Sequence, residues 1–500
     1  MTRSLFAWSA GALTLVALGS VALAEDREPA PLPGPAATGP RQAVVTPVEA
    51  FTPHDAQIST ILYLNRCTGG CLIKMGNIND ARADTSTIPT ADASISEFAL
   101  STGETGTAAD AEWNAIVKCM KEVYSPFNVQ VVDQRPQSGL SFHQAIVAGL
   151  PPEIGRGNDI LGIAPLAGDC TPQDNVVSFS FANAHSPNQR VNNICWTAAQ
   201  ESAHAFGLDH EYEFLVGARS ACNDPMTYRS DCGGQKFFRN DSAKCGEFEE
   251  RPCLCGPVQN SHTKILSVFE AGTVTTAKPT VSVTFPTDGA VIANNVNINA
   301  RAFSQRGIQK MELYLNGHKW SEVPGAAFSS NGQPESTYAL PVPTMVPNSL
   351  IDVVVKAYDD LGLMSESPVI TVTKGAACTD DASCVLNGMK CTAGKCGWDA
   401  PSGEIGEDCT YNEFCLSNTC TATSDGSVCS KECHPGVQDE CPMDFKCEMT
   451  SPGLGVCLAS ATEGGCCSVG SSREAVVVHL GLGLGVLGLV LRRRKRTSRV

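Results

Sequence analysis

One short stretch of the chain brings together residue types that could hold a cation and move a proton. It reads Gln200-Glu201-Ser202-Ala203-His204-Ala205-Phe206-Gly207-Leu208-Asp209-His210. If it begins as a helix, Gln200 and His204 lie four residues apart on one face and can hold a single ion. Glu201 then sits about 100° further round. From there it reaches water on that ion without itself being a ligand. Gly207 permits a sharp turn after the helix, which carries His210 back to the same point. Further on, Asp224-Pro225-Met226-Thr227-Tyr228 adds an apolar methionine and a phenol. Each residue also has an ordinary reading. Met226 and Tyr228 could be core residues, and His204 and His210 could be hydrogen-bonded structural histidines. The joint offsets of Glu201 and Gly207 speak against coincidence.

These residues strongly resemble the metzincin metalloprotease signature, HExxHxxGxxH followed by a methionine-containing turn, over roughly residues 57–272. Cys67-Thr68-Gly69-Gly70-Cys71 and Tyr124-Ser125-Pro126-Phe127 are similar to secreted myxobacterial members of that class. The resemblance implies Zn2+ as cofactor, His204 and His210 as ligands and Glu201 as general base. It also implies Met226 as the apolar floor beneath the metal and Tyr228 as a fifth ligand or oxyanion donor. The implied activity is that of a secreted, surface-sorted zinc endopeptidase cutting a protein or peptide substrate by metal-activated water. One departure matters: Gln200 stands where the signature has its first histidine. An amide oxygen is neutral and a poorer zinc donor than imidazole. Three outcomes stay open. Gln200 ligates and the site is active, another group such as His185 replaces it, or the site is dead. In the last case the chain is a metzincin-like scaffold acting as a surface binding or adhesion protein. His185, beside Ser186-Pro187, otherwise reads as a solvated loop residue. No Gly-x-Ser-x-Gly elbow occurs, so the common serine-hydrolase motif is absent.

The elements that must position this site follow from apolar spacing. Trp113, Ile116, Val117, Met120, Val123 and Tyr124 recur at helical intervals, which predicts a helix over 110–125. Pro126 breaks it, and 129–132 reads as a strand. A second helix is expected over 142–150, with His143 on its exposed side. Strands follow at 160–164 and 176–181, then the helix from about 191 that carries the motif. Alternating helices and strands predict an α/β fold for residues 57–272.

Beyond it the chain changes character. Residues 278–374 contain no cysteine and alternate apolar with polar residues. Asn316-Gly317 is a hairpin signal within that stretch, and the whole reads as an all-β immunoglobulin-like sandwich, with His318 an ordinary surface group. Residues 376–458 hold twelve cysteines in two rough copies of an acidic, Gly-rich pattern. So small a segment cannot bury much core, so six disulfides are expected, connectivity open, with zinc binding by the thiols as the alternative. The net charge of −16 would repel a nucleic-acid backbone, so nucleic acid is excluded as a partner.

The termini read as addresses. Residues 1–24 place Arg3 before a mostly apolar run from Leu5 to Ala22 that closes on Ala22-Leu23-Ala24, which reads as a secretory signal peptide. Residues 25–56, rich in Pro, Ala and Thr, read as a linker or short pro-segment. Residues 476–491 are apolar and precede Arg492-Arg493-Arg494-Lys495-Arg496. Together with Gly464-Gly465-Cys466-Cys467-Ser468, residues 464–500 resemble the myxobacterial C-terminal sorting signal. That resemblance implies a sorting protease as partner, export to the cell surface, and transient membrane anchoring through the C-terminal helix.

Overall fold

The structure is a computed structural model that describes residues 41–46, 58–215, 219–229, 235–325, 337–435, 440–451 and 454–460. The chain divides into two compact units, Met1–Val385 with Cys391–Gly397, and Leu386–Lys390 with Trp398–Val500.

The first unit opens with an α/β layer. Its strands are β1 (Arg41–Thr46), β2 (Ile61–Asn65), β3 (Gln130–Val132), β4 (His143–Val147), β5 (Gly162–Ala167) and β6 (Val177–Ser180). They form one sheet in the order β1-β5-β6-β4-β2-β3. The strands β6, β4, β2 and β3 pair in parallel. Strand β5 runs antiparallel to β6, and β1 parallel to β5. Helix α1 (Asp110–Tyr124) buries Trp113, Ile116, Met120 and Val123 along one stripe. A disulfide between Cys119 and Cys195 ties it to α2 (Arg190–His204). The Tyr124 hydroxyl adds a 2.7 Å hydrogen bond to Ser202 Oγ. Helix α2 is buried at every position from Asn193 to His204.

Three expectations change here. The segment expected as a helix over 142–150 instead holds strand β4 at His143–Val147, all five residues of which are buried. A parallel strand covered on both faces reads as an unbroken apolar run, which periodicity cannot separate from a short helix. His143 is accordingly a core residue, edge-on to Phe206 at 4.6 Å between ring centroids. Burial, only partly offset by Asp174, pushes its imidazole down to about 4. The segment expected to be a mere linker supplies β1, an edge strand of the sheet, because it meets an unpaired row of backbone groups on β5.

The all-β sandwich is present. One sheet holds Thr280–Phe285, Asn297–Phe303 and Thr337–Pro341, and the other is built on Ser349–Tyr358 and Lys310–Leu315. Alternate residues of Ser349–Tyr358 face inward onto Ile298, Leu313 and Val372. Asn316 and Gly317 both have positive φ, 48° and 85°, as a two-residue hairpin turn requires.

The cysteine-rich segment is three repeats, not two. Each has four cysteines joined first to third and second to fourth: Cys378–Cys391 with Cys384–Cys396, Cys409–Cys420 with Cys415–Cys429, and Cys433–Cys447 with Cys441–Cys457. In the last two repeats, the third and fourth cysteines face each other across a hairpin. All twelve sulfurs are bridged, so none is left as a thiolate for zinc.

The expected membrane anchoring is corrected. Among the described residues no helix is long and apolar enough to cross a membrane. The segments read as signal peptide, apolar helix and sorting signal (1–24, 476–491 and 464–500) lie outside the described residues.

The α/β layer and the sandwich meet through buried charge. Arg239 donates to Asp360 at 3.0 Å and to the Arg306 carbonyl at 2.6 Å. Arg306 in turn holds Asp360 through two bonds of 2.6 and 3.0 Å. Burial alone would raise the Asp360 carboxyl, but the two guanidiniums outweigh it and hold the group below its ordinary value. Asp360→Ala leaves two buried cations short of their anion and should cost about 3–5 kcal/mol in urea unfolding. Because the folded-state value is the lower one, the contribution is present above the unfolded value of 3.8. It is lost as pH falls below that value, so the difference between parent and Asp360→Ala should shrink in acid.

Candidate metal centre

The site is built where α2 ends. Gln200, Glu201 and His204 are all fully buried in the last turn and a half of the helix. The chain then turns at Gly207, with φ +87°, where a Cβ would stand 2.1 Å from the carbonyl oxygen of Cys170. Only glycine fits both the conformation and the space. The turn places the Leu208 carbonyl 2.7 Å from His204 Nδ1. It also returns His210 so that the two Nε2 atoms are 3.1 Å apart.

The outer nitrogens decide what the inner ones can do. A carbonyl oxygen can only accept, so His204 Nδ1 carries its proton toward Leu208. His210 Nδ1 lies 2.8 Å from Glu247 Oε1, another acceptor, and can carry its proton likewise. In neutral rings both Nε2 atoms are then lone pairs aimed at each other, an arrangement that repels until a cation sits at the pair. Burial, and next the neighbouring His210, push His204 down to about 3, so near neutral pH it takes no proton of its own. The donor set therefore fits a metal ion.

An acidic shell surrounds His210. Asp209, His210 and Glu247 place ligand atoms within 4.8 Å of one another, a cluster that could hold a metal. Arg251 binds both carboxylates, Asp209 through two bonds of 2.7 Å and Glu247 through bonds of 2.5 and 3.0 Å. The bonds from His210 and Arg251 hold the Glu247 carboxyl well below its usual range against the effect of burial. Burial would raise Asp209, but Arg251 and two backbone amides outweigh it and lower the group.

The structure brings several expected residues together. Met226 is fully buried, and its carbonyl accepts from Glu211 N, next to His210, at 2.8 Å. The Tyr228 ring packs on His210 at 4.6 Å and on the exposed Phe248 ring at 5.5 Å. Gln200 stands one turn before His204 on the same helix face. Glu201 is packed on the face of β5, where a Cβ at Gly162 would come within 2.5 Å of its Oε1. His185 is buried rather than solvated, and its carbonyl accepts from Arg190 at 2.6 Å. Sequence reasoning missed Glu247 and Arg251. Their one signal is a charged pair four residues apart between two cysteines, and nothing in it points to His210.

Comparisons with known proteins bear on one part of the chain. Residues 279–362 match the bacterial Ig domain family, and no curated protein matches the chain. Among solved structures, fibronectin(III)-like modules of Clostridium thermocellum CbhA are 20% identical over 19% of this chain and 96% of theirs, with a TM-score of 0.15. A point mutant of the SrpA adhesin from Streptococcus sanguinis is 17% identical over 19% of this chain and 57% of its own, also at 0.15. An endo-beta-1,4-mannanase from Thermotoga petrophila is 14% identical over 20% of each chain, at 0.16.

Gly207→Ala tests the turn. The left-handed backbone alone costs about 1–2 kcal/mol for a residue with a Cβ, and the contact with Cys170 adds to it. A thermal melt should show the loss of stability, and any metal binding at the pair should weaken as His210 is displaced from His204.

Proposed function

We propose that the chain is a metal-holding scaffold of metzincin-like layout that works by binding other proteins rather than by cutting them. The Ig-like sandwich and the disulfide-bridged repeats are further binding or spacing modules of the same protein. The observation that carries this reading is the position of Glu201. A general base must come within about 2.6–3.2 Å of the proton it removes. Glu201 is fully buried against Gly162, so neither substrate nor bulk water reaches it in this conformation. The outer edge of that same strand is taken by β1, with Arg41 opposite Gly162, so an extended peptide has no free edge to pair with there.

His204 and His210 would hold the ion, with Gln200 the third candidate ligand. A divalent ion bound there, Zn2+ by the chemistry of the donors, supplies the positive charge that the facing lone pairs lack. The chain's own residues do the rest: Leu208 and Glu247 hold the outer protons, the buried Met226 ties its turn to Glu211 beside His210, and Tyr228 covers His210.

A second reading is supported by the Met226–Tyr228 turn lying against His210. It is peptide hydrolysis with Glu201 as base and Tyr228 as oxyanion donor. That reading requires β1 to leave the sheet edge and the buried Glu201 to be opened to substrate.

Metal content and casein cleavage separate the two. Full-length protein purified without added metal should carry close to one zinc per chain and cleave casein no faster than Glu201→Gln. Cleavage abolished by Glu201→Gln would establish the hydrolase. Cleavage appearing only after residues 25–56 are removed would establish a latent one. Gln200→His should tighten zinc binding and Gln200→Ala weaken it if the amide oxygen is a ligand.

A further inference from the structure

The residues between Cys245 and Cys253 form a loop closed by their disulfide. Its path is set at Gly246, with φ +145°, where a Cβ would stand 1.9 Å from the Glu249 carbonyl. The loop therefore folds back on itself, and Arg251 N bonds the Cys245 carbonyl at 2.8 Å.

This loop grips His210 from several sides. Gly246 N donates to the His210 carbonyl at 3.1 Å, and Glu247 accepts from its Nδ1 at 2.8 Å. Arg251 and Leu254 N hold Asp209, the preceding residue, and Asp209 Oδ1 accepts from His210 N at 2.7 Å. Just beyond the loop, Cys255 is bridged to Cys170, whose carbonyl limits the space at Gly207. Gly246, Glu247, Arg251, Leu254 and Cys255 all lie outside the motif 200–210.

A neutral imidazole can carry its proton on either nitrogen. With the proton on Nε2, His210 could donate directly to His204 Nε2, and the observed 3.1 Å suits that bond. The pair would then satisfy itself and be closed to a cation. With the proton on Nδ1, the pair is open. Glu247, acceptor-only and held in place by Arg251, selects the second state.

We infer that Glu247 is a positioning residue that fixes the Nδ1–H form of His210, so that the disulfide-closed loop 245–253 sets the cation affinity of the His204–His210 pair. This rests on reading that pair as the metal site. Loss of such an outer-shell partner lowers metal affinity by about 10–100-fold.

The test uses the full chain labelled with 15N-histidine, with the His210 signals assigned by their absence in His210→Asn. Metal-free parent protein should show His210 protonated at Nδ1 and bare at Nε2. Glu247→Ala should move the proton to Nε2, and chelator competition should show zinc binding weakened about 10–100-fold. Glu247→Gln, whose amide oxygen can still accept, should keep the Nδ1–H form with an affinity between the two. It also serves if the alanine variant fails to fold. A parent His210 protonated at Nε2 would overturn the inference, as would variants whose tautomer and zinc affinity match the parent's. Parent protein with the expected tautomer but no zinc binding would leave the clamp standing and sink the metal reading instead.

Discussion

The α-carbon of Gly207 lies against the backbone carbonyl of Cys170, in a left-handed conformation and with no room for a side chain. From that contact the rest of the site follows. The helix can stop at His204, the chain can reverse within a few residues, and Leu208 and His210 arrive on either side of the His204 ring. The disulfide from Cys170 to Cys255 anchors the same backbone to the stretch that carries Glu247 and Arg251. One close approach thus sets both the inner faces of the histidines and the groups that hold their outer nitrogens.

Charge is arranged around this turn in opposing layers. Burial drives His204 far down, so it stays neutral, while bonds from His210 and Arg251 hold Glu247, and Arg251 with two backbone amides holds Asp209, below the ordinary carboxylate range. Just behind them the sign reverses. Burial, and then the nearby Asp224, raise Glu211 well above the usual carboxylate range. Asp224 receives Met226 N, Arg239 N and the Ser261 hydroxyl. Arg239 continues to Asp360 in the sandwich. A chain of polar contacts therefore runs from the methionine turn to the Ig-like module, and the two are positioned as one body.

The modules downstream reach stability by different physics. The sandwich buries alternate residues of its long strands in one apolar core. The cysteine repeats have little to bury, so each is stapled by two crossed disulfides, most plainly around a single hairpin in the later two. Reduction would leave the first kind of module standing and dissolve the second.

Local chemistry was legible in the residues themselves. Helices α1 and α2, the strands beside them, the Asn316-Gly317 turn and the offsets of His204, Gly207 and His210 all depend on neighbours in the chain, where periodicity and glycine's freedom operate. The number of disulfides was legible too, since twelve cysteines in so small a segment have few other fates. Tertiary structure alone decided whatever depends on residues distant in sequence. It made His143–Val147 a strand, because pairing on both sides outweighed an apolar pattern that suits helix equally. It turned His143 and His185 inward, and it drew 41–46 onto an open sheet edge. It brought Glu247 to His210 across 37 positions, which no spacing rule anticipates. It also laid Glu201 against Gly162, a contact that exists only because that strand has no side chain there.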